Sequence, residues 1–538
     1  MSKPSSPHDA AVMPPPSTKA MLVGISMALF AAFGGYLYGY DTGYISGTKE
    51  MPYWLQRFGE PDDSGKFILT TEKNSLVTSI LSVGTFVGAL LASPIGDTLG
   101  RRWGVIAACG VFCIGTTLQL ASSSISTLAV GRVFAGLGVG VTSCLIPMYQ
   151  SECAPKWIRG AVVACYQWAI TIGLLIAAIV VNVTKNRPDS SCYRIPIGLE
   201  FIWATILALG LFCLPESPKY LIFKGRKEQA RAALGRLLSL PADSEQVTRE
   251  FNEVNDALVL ERTIGVGSYA DCFRSGKGRY RLRTLSGMGI QALQQLSGVN
   301  FIFYFGTSFF KNCGISNAFT ISIITNAVNV SMTIPGIWAV DKTGRRLSLL
   351  MGAALMAVCE FIVAILGLTV STSSSAGQNA MIASVCIYLG AFAASWGPVP
   401  WVVTSEIFPL AIRAKAMSLS TASNWALNFA IGYSTPYLVD SGPGKAGLGT
   451  NIFFLWGGLC TLCFFFTFLC IPETKGLSLE QVDDLYQNSS IIGSDSYRRK
   501  LLTAESGRMM TFTKAEDGSN GKEVAGIEMK REERIEGL

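Results

Sequence analysis

ALLASPIGDTLGRRWGVIAACGVFCIG, residues 89–115, holds the turn on which the fold is decided: two apolar runs meet at a short charged connection, DTLGRR at Asp97 to Arg102. The same connection returns as DKTGRR at Asp341 to Arg346, 244 residues later. The pattern ExxPxxxR occurs at Glu152, Pro155 and Arg159 and again at Glu406, Pro409 and Arg413, an offset of 254. PESPK, opening at Pro215, is echoed by PETKG, opening at Pro472, an offset of 257. Three motifs repeated in one order at nearly one spacing imply two homologous halves meeting around a central site, the architecture expected of an alternating-access carrier.

Around these motifs lie apolar runs of about 20 residues, the length needed to cross the hydrocarbon core. They fall near 21–46, 75–96, 103–122, 127–149, 160–183, 195–214, 285–310, 318–340, 347–370, 380–404, 412–439 and 450–471. The predicted fold class is therefore an all-α membrane protein with twelve transmembrane helices in two six-helix halves, with short cytoplasmic helices between them. Even-numbered connections carry Arg101, Arg102, Lys156, Arg159, Lys342, Arg345, Arg346, Arg413 and Lys415, whereas the third and ninth carry no Lys or Arg. The positive-inside rule then places both termini in the cytoplasm. The expected divisions are a cytoplasmic tail at 1–20, a first half at 21–214, a cytoplasmic linker at 215–284, a second half at 285–471 and a cytoplasmic tail at 472–538. KEQARAALGRLL and EFNEVNDALVLE mark helices in the linker, and the chain beyond about Tyr486 reads as disordered.

Composition agrees with a lipid-facing surface: 49% of residues are hydrophobic and 15% charged. The net charge of +7 is scattered in short clusters, which argues against nucleic acid as a partner. Cysteines such as Cys109, Cys144, Cys359 and Cys460 sit in apolar runs as small hydrophobes, with no disulfide framework. The single histidine, His8, lies in the polar N-terminus, and neither a GxxxxGK[ST] loop nor HExxH is present. Enzymatic activity, a metal and a cofactor are therefore not expected. The first apolar run has no cleavage signal and reads as a retained anchor.

Chemistry singles out three groups of residues. Gln291, Gln294 and Gln295 share one helix face, and amides both donate to and accept from hydroxyls. Asn300 lies about 140° further round an ideal helix, so it joins them only if the helix bends near Gly298. Asp41 and Arg132 are ionisable residues deep in the first and fourth spans, where they are costly and functional by default, and are expected to pair. Glu152 with Arg159, Glu406 with Arg413, and Arg101, Arg102, Arg345 and Arg346 form candidate salt-bridge gates, which need a network because exposed pairs are each worth about 0 to 1 kcal/mol.

GGYLYGYDTGYISG at 34–47, GRVFAGLGVG at 131–140, PESPKYL at 215–221, QQLSGVNFIFYF at 294–305 and PETKG complete a set that resembles the sugar porter family of the major facilitator superfamily. YGYDTG and SWGPVPWVVTSEIFP are similar to the fungal hexose and monosaccharide transporters. One departure is Thr98, where the family's first loop usually carries a basic residue. The resemblance implies a major facilitator fold and a sugar site that takes Gln167, Gln294, Gln295, Asn300, Asn329, Trp401, Asn424 and Trp425. It further implies a proton site at Asp41 with Arg132 as counter-charge, and Glu200 stands where some proton-coupled relatives carry a carboxylate. The expected function is proton-coupled uptake of a hexose, glucose first, across the plasma membrane, with sugar, H+ and lipid as partners. A facilitative uniporter is the alternative, and a non-transporting sugar sensor, which would be expected to carry a longer tail, is a further one.

Overall fold

A computed structural model of the chain describes residue 26 and residues 29–503, apart from 63–64, 155–158, 265–267, 313–317, 370–373, 410–411 and 478. The first half contains α1 (Phe33–Thr48), a short α2 (Pro52–Phe58), α3 (Thr71–Thr98), α4 (Arg101–Leu120), α5 (Ile125–Cys153), α6 (Arg159–Thr184) and α7 (Ser191–Cys213). A two-stranded ribbon, Glu60–Pro61 against Phe67–Ile68, follows α2. The linker carries α8 (Pro218–Phe223), α9 (Lys227–Leu238) and α10 (Glu245–Ile264). The second half runs through α11 (Tyr280–Leu296), α12 (Val299–Asn312), α13 (Ala318–Thr343), α14 (Arg345–Thr369), α15 (Ser375–Ala394), α16 (Val399–Glu406), α17 (Arg413–Val439) and α18 (Ile452–Cys470). With α11–α12 and α15–α16 each forming one broken span, the helices make twelve spans in two halves of six.

Nine spans among the described residues are long and apolar enough to cross a bilayer on composition alone. The first, seventh and eleventh spans are not among them. The first is described only in part, and all three carry polar residues in the protein interior: Asp41, Gln295 and Asn428 are buried among protein groups rather than lipid.

Both broken spans have visible causes. The seventh breaks at Ser297 and Gly298, where Gly298 takes φ +83°. The tenth breaks around Trp396 to Pro398, because Pro400 cannot donate the N–H that the Trp396 carbonyl would receive in a continuous helix. Gln294 repairs that loss: its Nε2 donates to the carbonyls of Trp396 and Gly397, both at 2.8 Å.

The repeated motifs fold alike. Gly100 (φ +96°) and Gly344 (φ +95°) turn the chain into α4 and α14, a backbone setting that favours glycine. The glutamates of PESPK and PETKG then cap the two helices. Glu216 accepts from the backbone N–H groups of Arg101 and Arg102, and Glu473 from those of Arg345 and Arg346. Carboxylates at helix N-termini satisfy orphan donors and complement the dipole. This face, which also carries α8 to α10, is called the motif face below and the opposite one the far face. The linker helices pack through Tyr220, Leu221, Ala233, Leu234, Val247 and Phe251, and Tyr220 donates to the Thr98 carbonyl at 2.9 Å.

The tail differs from expectation. Beyond α19 (Leu479–Asn488) the chain forms a further helix, α20, over 494–503, where disorder was predicted from composition. Polar contacts hold α20 in place, the Ser494 Oγ taking the Glu473 N–H at 3.1 Å and Arg498 reaching the Lys475 carbonyl at 3.1 Å. Residues 504–538 lie outside the described residues.

Candidate substrate and proton site

The break at Gly298 brings Asn300, in the first turn of α12, back onto Gln295, and its Nδ2 donates to the Gln295 Oε1. Gln295 Nε2 in turn donates to Asn424 Oδ1 at 2.9 Å, and Asn424 Nδ2 donates to Gln291 Oε1 at 2.7 Å and Gln294 Oε1 at 2.9 Å. Asn428, one turn further along α17 and not singled out by the sequence, donates to Gln295 Oε1 at 3.1 Å and accepts from Ser82 at 2.6 Å and Tyr304 at 2.9 Å. The amides thus form one buried network joining α11, α12 and α17 to α3 of the other half. Within it Gln294 has spent both amide hydrogens on backbone, whereas Gln295 and Asn424 bind mostly side chains that a ligand's hydroxyls could replace.

Gln167, Asn329, Trp401 and Trp425 are all buried. Trp425 Nε1 donates to Ser143 of the first half at 3.2 Å, and its ring meets Tyr38 edge-on at 4.9 Å. Trp401 meets Tyr166 edge-on at 5.5 Å. The Trp401 N–H, both amide atoms of Asn329 and the Tyr166 hydroxyl have no hydrogen-bond partner among the described residues. Buried polar atoms of this kind call for an explanation, and a polar ligand between the halves supplies one. Gln167 stands beside Gly397 at the tenth-span break.

Asp41, Arg132 and Glu200 come together in the interior of the first half, each 0% exposed. The expected direct pair between Asp41 and Arg132 is not formed. Tyr44, one turn after Asp41, takes the guanidinium instead: Arg132 Nη1 donates to its hydroxyl at 2.9 Å, and that hydroxyl donates to Gln119 at 2.7 Å. Arg132 remains within electrostatic reach of Asp41 and Glu200, and neither Asp41 oxygen has a hydrogen-bond partner among the described residues. Glu200 accepts from Thr116 at 2.9 Å. Two carboxyls and one guanidinium sharing a dry space can hold or release a proton as their spacing changes. Tyr44, Thr116 and Gln119 were missed because neutral polar residues in a span carry little signal of their own.

The gate residues divide by half. Arg101 Nη2 meets Glu152 at 3.1 Å, and Glu152 also accepts from Ser217. Arg345 Nη2 meets Glu406 at 2.8 Å, and Thr474 donates to the same carboxylate at 2.7 Å. These pairs lie within one half each, tying together the motif-face ends of its spans rather than bridging the halves. Arg102 and Arg346 donate to backbone carbonyls of Phe212 at 2.7 Å and of Phe468 at 2.7 Å. Arg413 is buried at the start of α17, and the side chain of Arg159 lies outside the described residues. Among the contacts that cross between halves, those at the far face include charged groups: Glu50 accepts from Ser308 at 2.6 Å and pairs with Lys311 at 3.0 Å, Thr71 donates to Asp440 at 2.7 Å, and Lys49 lies 3.9 Å from the Phe305 ring centre, while nearer the motif face Ser418 donates to the Ala89 carbonyl at 2.7 Å.

Twelve spans in two repeated halves, enclosing a polar centre, define a multi-pass membrane carrier. The chain belongs to the sugar (and other) transporter family, whose model matches residues 27–486. It is similar to the major facilitator-type transporter ecdD of Aspergillus rugulosus, 51% identical over 85% of this chain and 86% of that one. It is 45% identical to the probable glucose transporter rco-3 of Neurospora crassa over 88% of this chain and 80% of that one. Against the high glucose sensor RGT2 of Saccharomyces cerevisiae the identity is 40%, covering 88% of this chain and 62% of that one. Among solved structures, the proton:xylose symporter XylE bound to 6-bromo-6-deoxy-D-glucose matches with a TM-score of 0.73 at 28% identity, covering 86% of this chain and 99% of that one. The protein is a sugar transporter of the major facilitator superfamily.

Proposed function

We propose that this transporter takes up a hexose, glucose first, across the plasma membrane with a proton, by alternating access, with both termini in the cytoplasm. The observation that carries the reading is the separation of two polar centres. The amides of α11, α12 and α17 offer donors and acceptors suited to sugar hydroxyls, while Asp41 and Glu200 lie buried in the other half with a single guanidinium beside them. A second buried acid has little use in a passive carrier. The likenesses to a proton:xylose symporter and a probable glucose transporter support both parts. Gln295, Asn300, Asn329, Asn424, Trp401, Trp425 and Gln167 are the proposed sugar contacts, with Gln294 holding the tenth-span break beside them.

Purified protein in sealed vesicles tests this. Hexose entry should acidify the lumen, and a protonophore should abolish accumulation without stopping equilibration. Equilibration with no proton movement would replace symport by facilitated diffusion. Binding of hexose without any entry would favour a sensor, a reading to which the likeness to RGT2 lends support.

A further inference from the structure

Glu360, in α14, is 1% exposed and neither carboxyl oxygen has a hydrogen-bond partner among the described residues. It is the only carboxyl of the second half's membrane interior in that condition among the described residues, and neither the sugar site nor the gates use it. Its place is specific. A Cβ built on Gly298 would stand 2.8 Å from Glu360 Oε1 and 2.8 Å from Trp456 Cγ, so the carboxyl rests directly against the break between α11 and α12.

The backbone at that break is already gripped from the same side. Tyr388 of α15 donates to the Ser297 carbonyl at 2.7 Å, Cys460 of α18 approaches it at 3.5 Å, and Cys463 approaches the Leu293 carbonyl at 3.6 Å. The repeat gives a second bearing. Glu360 and Thr116 are 244 residues apart, the spacing of the two GRR motifs, and Thr116 is the residue that binds Glu200. Each half therefore has a buried acid at this level of its third span, Glu360 on the span itself and Glu200 held against it from α7, but the two settings differ. Asp41 and Glu200 have Arg132. The titratable groups facing Glu360 are Cys359 from its own helix, Tyr388 from α15, and Cys460 and Cys463 from α18; α11 and α12 present none at Ser297 and Gly298, and no cation faces it among the described residues. With no counter-charge, a carboxylate there would be prohibitively costly, so the group stays a neutral acid with one O–H to donate.

We propose that Glu360 is a positioning residue on the hinge of the seventh span: unpaired in the present conformer, in which the halves touch at the far face, it captures backbone carbonyls freed at the break when α12 tilts, and so favours the tilted setting. The inference rests on the reading of the chain as an alternating-access carrier. An unpaired acid is a cost borne only in the present conformer, so removing it shifts the population toward closure.

Three proteins are compared: wild type, Glu360→Gln, which keeps neutral donors, and Glu360→Leu, which keeps most of the volume. Infrared difference spectra of wild type should show a protonated carboxyl band, absent from Glu360→Gln, that persists from about pH 5 to about pH 9, outside the range where an ordinary glutamic acid stays protonated. Glu360→Leu should lower hexose turnover about tenfold, as for one lost buried hydrogen bond, without raising KM, and cysteine reporters at the far face should become less accessible. Glu360→Gln should stay near wild type in turnover and proton stoichiometry. A band that titrates within that range, loss of proton stoichiometry in Glu360→Gln, or wild-type turnover and accessibility in Glu360→Leu would each overturn the proposal. Should wild type move no hexose at all, the transport reading fails by that result, while the infrared band and cysteine accessibility still judge Glu360.

Discussion

At the scale of single residues, the second half shows how a polar site is stored in an apolar setting. Gln295 donates to Asn424 and accepts from Asn300 and Asn428, so each bond is side chain to side chain and exchangeable for a sugar hydroxyl. Gln294 is different, because its two hydrogens replace N–H groups that the proline-broken tenth span cannot provide. Gln295→Ala is therefore expected to raise the apparent KM for hexose about tenfold or more, since each hydroxyl left unpaired in a dry cavity costs about 1–3 kcal/mol. Gln294→Ala should instead also lower the thermal stability of the detergent-solubilised protein. Uptake kinetics and melting of both variants check this; equal melting temperatures would make Gln294 a ligand rather than a brace. In the first half, Asp41→Asn should behave as a permanently protonated site: accumulation against a gradient disappears, while sugar exchange persists because the amides are intact. Loss of exchange together with accumulation would give Asp41 a structural role instead.

At the scale of elements, apolar periodicity located the spans, and three of them, the first, seventh and eleventh, line the polar centre. They were legible as apolar runs near 21–46, 285–310 and 412–439. The glutamine face of α11 and the need for a bend at Gly298 could be read from spacing, whereas the link between Asp41 and Arg132 could not. Tyr44 separates them through a contact of two helices, and a hydroxyl with many possible partners does not announce the one it has. The tail helix α20 was missed for a related reason: it docks through serine and arginine contacts, which composition cannot distinguish from solvated chain. The capping glutamates give this scale its own prediction. Glu473→Gln retains size but weakens the hold on the Arg345 and Arg346 N–H groups. Charged caps at helix starts are worth about 0.5–2 kcal/mol. Arg345→Ala, which also frees Glu406, should have the larger effect, biasing the carrier toward opening at the motif face and slowing turnover. Accessibility of engineered cysteines on the two faces reads the bias, and unchanged accessibility with normal turnover would remove Arg345 from the gate.

At the scale of the whole molecule, the two faces are closed by different means. On the motif face the described ion pairs stay inside each half, as in Arg101 with Glu152 and Arg345 with Glu406. On the far face the halves touch one another, through Glu50 with Ser308 and Lys311, and through Ser46 with Thr307, whose hydroxyl oxygens are 3.4 Å apart. Alternating access requires the far-face contacts to separate once in every cycle, and a covalent link across them must stop that cycle. Ser46→Cys with Thr307→Cys places two thiols where these hydroxyls meet, between α1 and α12. The native cysteines are free among the described residues, so single-cysteine variants treated identically serve as the control. Oxidation of the double variant should abolish hexose exchange, reduction should restore it, and neither single variant should respond. A reporter cysteine on the motif face should remain reactive in the cross-linked protein, because that closure does not depend on contact between α1 and α12. Full exchange by the cross-linked protein would mean that the α1–α12 contact is not a gate, and that the far face opens elsewhere.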